Sequence, residues 1–429
     1  MPTTSEETKE TLATAVSGKP LRVVILNQYY VPDVASTGYL LSELAEYLTL
    51  NGAEVSVITC HPSYGPRETW RETPRFAIEN GIRVTRMWTT RFSKNSLIGR
   101  TCNSLTFLMQ LTIRLLLRRN RDEVFLYTTN PPYLGMIGAF VRFFRRHPYA
   151  VLLHDSYPQL AVWVGTIRAN GFIERVWHRI NRMIYHRAQQ TIVLCRAAKE
   201  LVCEAYDVEP DRVHNIPNWA DGEKLFPIDK KDSGLAHECG LVEPFTLLYS
   251  GNLGLYYEFE TLLGAADLLR NESFRLVFVG SGGKRDWLKR EIERRDLANT
   301  LLLGYQPFER LNASLNACDA SLVTIASGIE GNSFPSKLYS SLAVGKPIIA
   351  LSESKSELRS VVENNDVGFW FELGDAEGLA VRVREMILAP DRCRDQGRNA
   401  RQLFEERYTI DAAGAQYAEV LKMVAMESR

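Results

Sequence analysis

The sequence predicts an α/β protein of two doubly wound domains in tandem, each a mostly parallel sheet covered by helices on both faces. Three observations carry this. The chain has 429 residues, beyond the size at which one core keeps growing, so two domains of about 200 residues are expected. Continuous apolar runs suited to strands buried on both faces alternate with helical patterns along the chain. The alternation breaks once, near the middle, at a stretch rich in Pro, Gly and charge that lacks periodicity.

Residues 1–20 are polar, show no signal-peptide pattern and read as a disordered tail. The first domain, 21–222, begins with the strand "LRVVILN". In "STGYLLSELAEYLTLNG", Leu40, Leu41, Leu44, Ala45 and Leu48 form one helical stripe, with Ser36 or Thr37 as cap and Asn51-Gly52 as stop. The strand "EVSVITC" completes a βαβ unit. The pattern continues through "GIRVTRMWT", a helix near 100–119, "EVFLYTTN", a helix near 133–145, "YAVLLHD", a helix near 171–188 and "QTIVLC". Residues 223–244 read as the linker. The second domain, 245–408, repeats the alternation from "FTLLYSG" through "RLVFVG", "NTLLLG", "ASLVTIA", a helix near 337, "PIIAL" and "VGFWFEL". A last helix within 409–429, about Ile410 to Met426, is placed to return to the first domain.

Net charge is zero, yet the chain up to Ala220 holds 26 Lys and Arg against 19 Asp and Glu, leaving 25 against 32. A basic front half points to an anionic partner such as a membrane surface, a lipid phosphate or nucleic acid, or to a simple offset between domains. The seven cysteines are scattered and never form CxxC, which implies neither a disulfide framework nor a zinc site and fits a reducing cytoplasm. The longest apolar run, Ser104 to Leu117, contains Arg114 and is too short to span a bilayer.

Ligands of open α/β sheets sit at the carboxyl ends of strands. "LLYSGNLG" and "VFVGSGG" place glycines there, where backbone N–H groups can approach a phosphate or base, although either glycine turn alone is often only a tight turn. Neither is GxGxxG, which lowers a dinucleotide dehydrogenase. "GNSFPSKLYSSLAVGKPIIA" puts Lys337 in the first turn of a helix. A cation there opposes the helix dipole by roughly 0.3–1 kcal/mol, which makes sense where an anion joins both; a solvated surface lysine is the competing reading.

Together these segments resemble the retaining nucleotide-sugar glycosyltransferases of family 4, from about Leu21 onward. "IPNWAD" looks like the end of that family's first domain. "YSGNLG" and "VFVGSGG" look like its donor-domain loops, "GYQPFERLNASLNACDASLVT" like its nucleobase loop, and "SSLAVGKPIIA" like its closing motif. The nearest flavour is the exopolysaccharide and colanic-acid branch. The resemblance implies a GT-B fold of two facing Rossmann-like domains and sugar transfer from a nucleotide-diphosphate sugar. The acceptor would be a glycan or polyprenyl-linked saccharide in surface polysaccharide synthesis, and the reaction would use no metal or other cofactor. It also implies a cytoplasmic protein, in possible contact with the inner face of the anionic membrane, and no nucleic-acid partner.

For the donor, the resemblance implies Gly38, Gly251, Asn252, Leu253, Gly254, Gly280, Ser281, Gly282, Tyr305, Glu330, Gly331, Ser336, Leu338 and Ser340, with Ser36 and Thr37 near the phosphate or acceptor. His154, Asp155 and Lys337 are the expected catalytic residues. This chain departs from the family's pattern in three places. The second glutamate of Glu-x7-Glu falls on Ser340 and the first on Asn332, with Glu330 two residues early; the usual loop cations fall on Asn252 and Tyr257. Lys337 thus becomes the main cation for the diphosphate, and Glu330 the candidate ribose ligand. Arg118, Arg119, Arg121, Arg142, Arg145 and Arg146, beside apolar helix faces, are the candidate membrane contacts. A non-catalytic nucleotide-sugar binder and a nucleotide-sugar 2-epimerase are the other functions that fit this shape.

Overall fold

The computed structural model describes residues 20–33, 35–63, 70–92, 97–120 and 122–427. The expected tail, apart from residue 20, and Arg121 lie outside them. The chain divides into two compact units. One comprises residues up to Pro217 together with Gly331–Ser333 and Ile410–Arg429, the other Asn218–Glu330 and Phe334–Thr409.

In the first unit, β1 (Arg22–Leu26), α1 (Ser36–Leu50), β2 (Glu54–Cys60), β3 (Phe76–Glu79), β4 (Ile82–Met87), α2 (Leu97–Leu117), β5 (Glu123–Thr128), α3 (Leu134–Arg145) and β6 (Tyr149–Leu153) lead to α4 (Gln159–Trp163), α5 (Phe172–Arg187), β7 (Gln190–Val193), α6 (Arg196–Tyr206) and β8 (Val213–Asn215). The sheet order is β3-β4-β2-β1-β5-β6-β7-β8, parallel except for β3 against β4. Strands β5 and β6 are buried at every position, as expected of strands covered on both faces. The order reverses between β1 and β5, which makes their carboxyl ends the switch point.

The stretch 223–244, read above as a linker, is folded into the second unit. It carries a turn of 3-10 helix at Lys230–Asp232 and α7 (Gly234–Glu238). Leu235, Ala236 and Leu241 pack there against Leu248, Val277 and Val279. Its Pro, Gly and charge had concealed those apolar anchors. Then come β9 (Phe245–Ser250), α8 (Glu260–Leu268), β10 (Phe274–Val279), α9 (Arg285–Arg294), β11 (Thr300–Leu303), α10 (Leu311–Leu315), β12 (Ala320–Thr324) and α11 (Lys337–Ala343). β13 (Ile348–Ser352), α12 (Glu357–Asn364), β14 (Gly368–Glu372), α13 (Ala376–Leu388) and α14 (Pro390–Arg407) complete the unit. The order β11-β10-β9-β12-β13-β14 is the doubly wound arrangement, with its switch point between β9 and β12.

The last helix, α15 (Ile410–Met426), packs in the first unit on α1 and on β5, β6 and β7. Tyr417, Leu421 and Val424 are fully buried, each such side chain contributing about 1.5–3 kcal/mol. Gly414 faces the Tyr47 ring so closely that an added Cβ would stand 2.4 Å from it. At the start of α1 the cap is Ala35, with no side-chain hydrogen bond, so neither Ser36 nor Thr37 plays that part; both stand inside the helix. The stop at Asn51 holds, with the Asn51 side chain donating to the Tyr47 carbonyl at 2.9 Å.

Candidate functional site

In the second unit, the loops after β9 and β10 are locked together backbone to backbone. The N–H of Leu253 donates to the Ser281 carbonyl at 2.9 Å, and that of Lys284 to the Leu253 carbonyl at 2.8 Å. Gly280 has φ +137°, and a Cβ there would lie 2.0 Å from the Gly251 oxygen. The glycines are therefore needed first for this loop-on-loop contact. Gly282 likewise faces Leu253 and the Asn252 side chain. Gly251 and Asn252 remain exposed, whereas Leu253 and Gly254 are buried. The Tyr249 hydroxyl donates to the Asn252 carbonyl at 2.8 Å, which fixes the loop from below.

Lys337 opens α11 beside this loop. Its ammonium stands 3.5 Å from the Tyr257 ring centroid and 4.6 Å from that of Tyr249, and no carboxylate pairs with it among the described residues. The side chain keeps some surface, yet burial of the charged end pulls its pKa down from 10.5 to about 7. Aromatic faces attract a cation but cannot neutralise it, so the charge is left for an incoming anion. Tyr257 is itself anchored, because the Lys284 ammonium donates to its carbonyl at 2.6 Å. Arg285 donates to the carbonyls of Gly280 and Leu303, each at 2.9 Å, and ties the ends of β10 and β11 together. Sequence reasoning passed over Tyr249, Lys284 and Arg285, although two basic residues directly after "GSGG" were a visible signal.

Other expected donor residues fall in different settings. Tyr305, just past β11, is 71% exposed and offers a bare ring. Ser336 is exposed and precedes α11 without a side-chain capping bond. Leu338 is fully buried, so its side chain is core and only its backbone is available. The Ser340 hydroxyl donates to the Lys337 carbonyl at 3.0 Å, within its own helix. The Glu330 carboxylate accepts from the backbone N–H of Glu357. There it supports the start of α12, where the Ser356 hydroxyl also accepts from the N–H of Arg359 at 3.0 Å. An acid two residues out of register with its motif thus accepts a backbone N–H at the start of a helix that lies further along the chain.

In the first unit, His154 and Asp155 follow β6. Both backbone N–H groups point to the Thr129 hydroxyl oxygen, at 3.1 and 3.3 Å. The His154 Nε2 is sealed from solvent with no hydrogen-bond partner among the described residues, and burial lowers the ring's pKa to about 4. A buried ring nitrogen left unpaired costs roughly 1–3 kcal/mol, which argues against a purely structural histidine. Burial pushes the Asp155 carboxyl up, opposed by a hydrogen bond with Ser333. Gly331 groups with this unit. Its carbonyl accepts from the Ser156 hydroxyl at 3.1 Å, and Asn332 accepts from the Ser156 N–H at 2.8 Å. Gly38 lies in α1 where it meets the turn at Tyr29 and Tyr30, 3.1 Å from a would-be Cβ, so its small size serves packing.

Residues 240–403 match the family description "Glycosyl transferases group 1", and residues 38–219 match "Glycosyl transferase 4-like domain". The chain is 26% identical over 408 residues to "Probable glycosyltransferase WbjE" of Pseudomonas aeruginosa, covering 95% of this chain and 99% of the relative. It is 23% identical over 381 residues to WcaI of Escherichia coli strain K12, a glycosyl transferase named for colanic acid biosynthesis, covering 86% of this chain and 93% of that one. Among solved structures, Anabaena HepE in complex with UDP superposes with a TM-score of 0.69 at 17% identity, over 94% of this chain and 99% of that one.

Proposed function

We propose that this chain, which belongs to the family-4 GT-B glycosyltransferases, transfers a sugar with retained configuration from a nucleotide-diphosphate sugar to a glycan or lipid-linked saccharide. The observation that carries the reading is the unpaired ammonium of Lys337 over two aromatic rings, at the switch point of the second sheet. A departing diphosphate gains negative charge in the transition state, and a preorganised cation in a poorly solvated place stabilises that charge best. A charge-assisted bond of this kind contributes roughly 1.5–3 kcal/mol. The exposed Asn252 side chain and the bare ring of Tyr305 suit the rest of a nucleotide. HepE, which shares the fold, is known in complex with UDP and with UDP-glucose, and this supports a nucleotide-sugar donor here.

In the first unit, the neutral His154 ring is assigned to the transferred sugar, and Asp155 to orienting the acceptor hydroxyl. The name of the colanic acid relative supports surface polysaccharide as the product. In this reading Lys337 supplies the charge that a divalent ion would otherwise bring, so added chelator should leave turnover unchanged. The test is incubation with a panel of nucleotide sugars, with and without lipid-linked acceptors, followed by detection of released nucleoside diphosphate. Release with one donor, lost in Lys337→Ala, is the expected result. Nucleotide binding with no release from any donor would establish the non-catalytic reading, which the commitment of Glu330 and Ser340 to local structure favours.

A further inference from the structure

Three aromatic rings stand together at the carboxyl ends of β5 and β6, neighbouring strands of the first sheet. Tyr133 lies in the turn that leads into α3, Tyr157 in the turn between β6 and α4, and Trp177 in the second turn of α5. The Trp177 ring is 4.9 Å from that of Tyr133 and 5.7 Å from that of Tyr157, centroid to centroid, and lies within 8° of parallel to the latter. None of the three is buried. Tyr133 is 36% exposed and the other two are half-buried. Each ring has only two side-chain torsions, so the stack forms a stiff apolar ledge that costs little entropy to hold in place.

Polar groups adjoin the ledge. The Asn181 side chain, one turn beyond Trp177, donates to the Tyr157 carbonyl and, at 3.1 Å, to the Tyr206 hydroxyl. Gln159 donates to the same hydroxyl at 3.1 Å, while its amide oxygen is buried with no partner among the described residues, an acceptor that the fold itself does not use. Tyr157 follows His154 by three residues, so their Cα atoms lie within about 11 Å of each other. One chain of sugars can therefore reach both. A pyranose has an apolar C–H face and a rim of hydroxyls, which suits rings bordered by an amide; an isoprenoid chain brings no donor for the Gln159 oxygen. We propose that the ledge of Tyr133, Tyr157 and Trp177 is an acceptor subsite on which the apolar face of a pyranose stacks, one sugar removed from the ring that is attacked, so that the acceptor is an oligosaccharide.

The inference rests on the reading of a glycan acceptor, yet its test needs no turnover, so either can fail alone. The full chain is applied to an array of bacterial mono- to tetrasaccharides, with geranylgeranyl diphosphate tested beside it, and each sugar that binds is followed by saturation-transfer NMR. Oligosaccharides should bind at least about threefold tighter than monosaccharides, with transfer concentrated on the C–H protons of one face of one ring. Trp177→Ala and Tyr133→Ala should each weaken that binding by about threefold to tenfold, and Trp177→Phe, which keeps a ring, should restore most of it. All three should keep the circular dichroism of the parent, and Tyr133, the most exposed of the rings, tests the ledge should Trp177→Ala fail to fold. Absence of oligosaccharide binding would overturn the subsite, as would monosaccharides bound equally well or indifference to both alanine variants. Geranylgeranyl diphosphate bound alone, and lost in those variants, would overturn it by assigning the ledge to an isoprenoid chain. Glycan binding that follows this pattern without nucleoside diphosphate release from any donor would uphold the subsite and count against transfer.

Discussion

The Lys337 ammonium lies 3.5 Å from the centroid of the Tyr257 ring, and Tyr257 stands where the resemblance expects a loop cation. The aromatic residue therefore holds the Lys337 charge in place, instead of contributing one. Replacing Lys337 by Ala should lower donor turnover by at least about tenfold, as loss of one charge-assisted phosphate contact implies. Tyr257→Ala should weaken the same step less, by releasing the ammonium into solvent. Initial rates of nucleoside diphosphate release measure both.

The pH dependence follows from a lysine that burial brings to about 7 in the empty protein. An anion binds its charged form and raises the pKa, so donor binding takes up a proton above pH 7. The donor KM should rise by up to about tenfold per pH unit above 7, and Lys337→Ala should flatten that rise. The sign for stability is separate. Between about 7 and 10.5 the unfolded chain binds more protons than the folded one, so this group's cost is full below pH 7 and is relieved as pH climbs to 10.5. Lys337→Met should therefore raise Tm at neutral pH while abolishing the phosphate contact.

His154, with its pKa near 4, should show no titration by NMR between about pH 5.5 and 8. Because its ordinary value is 6.5, its contribution to stability falls as pH drops from 6.5 through 4. An imidazole that titrates near 6.5 in the folded protein would contradict the sealed environment of Nε2.

Glu330→Ala should cost about 0.5–2 kcal/mol of stability through the start of α12, with UDP affinity changed less than about threefold. Ser340→Ala should leave UDP affinity equally unchanged, since its hydroxyl is spent on the Lys337 carbonyl. Chemical denaturation and UDP titration separate this outcome from a ribose-binding role, in which affinity would fall before stability.

Gly280→Ala should destabilise the chain by at least about 1–3 kcal/mol and weaken UDP binding, because its Cβ would strike the Gly251 oxygen. Gly304, one strand over, has nothing within 4 Å of a would-be Cβ, so Gly304→Ala should be near neutral. Paired melting curves check the contrast.

The strands were legible because their burial on both faces leaves continuous apolar runs such as "LRVVILN" and "FTLLYSG", and the glycine turns marked where those strands end. The short edge strand Phe76–Glu79 was not, because four residues with one solvated face carry little pattern. Of the site, Lys337 was legible from its place at the head of a helix. The partners that define it were not, since the rings of Tyr249 and Tyr257 and the anchor from Lys284 converge only through tertiary packing. Glu330 is a different case. Its carboxylate answers a backbone N–H 27 residues away in sequence, a distance at which motif spacing carries no information.

Helix α15 lies against α1 and three strands of the first unit, separated in the chain by the whole second unit. During synthesis the part of the first unit's sheet that α15 covers thus waits bare while roughly 200 further residues are made, on the order of 10–40 s at ordinary elongation rates. The second unit has no such debt to a later segment and can close earlier. The nascent first half is therefore the moment of greatest exposure to chaperones and to aggregation, and a stalled chain ending before residue 410 would carry that bare part permanently.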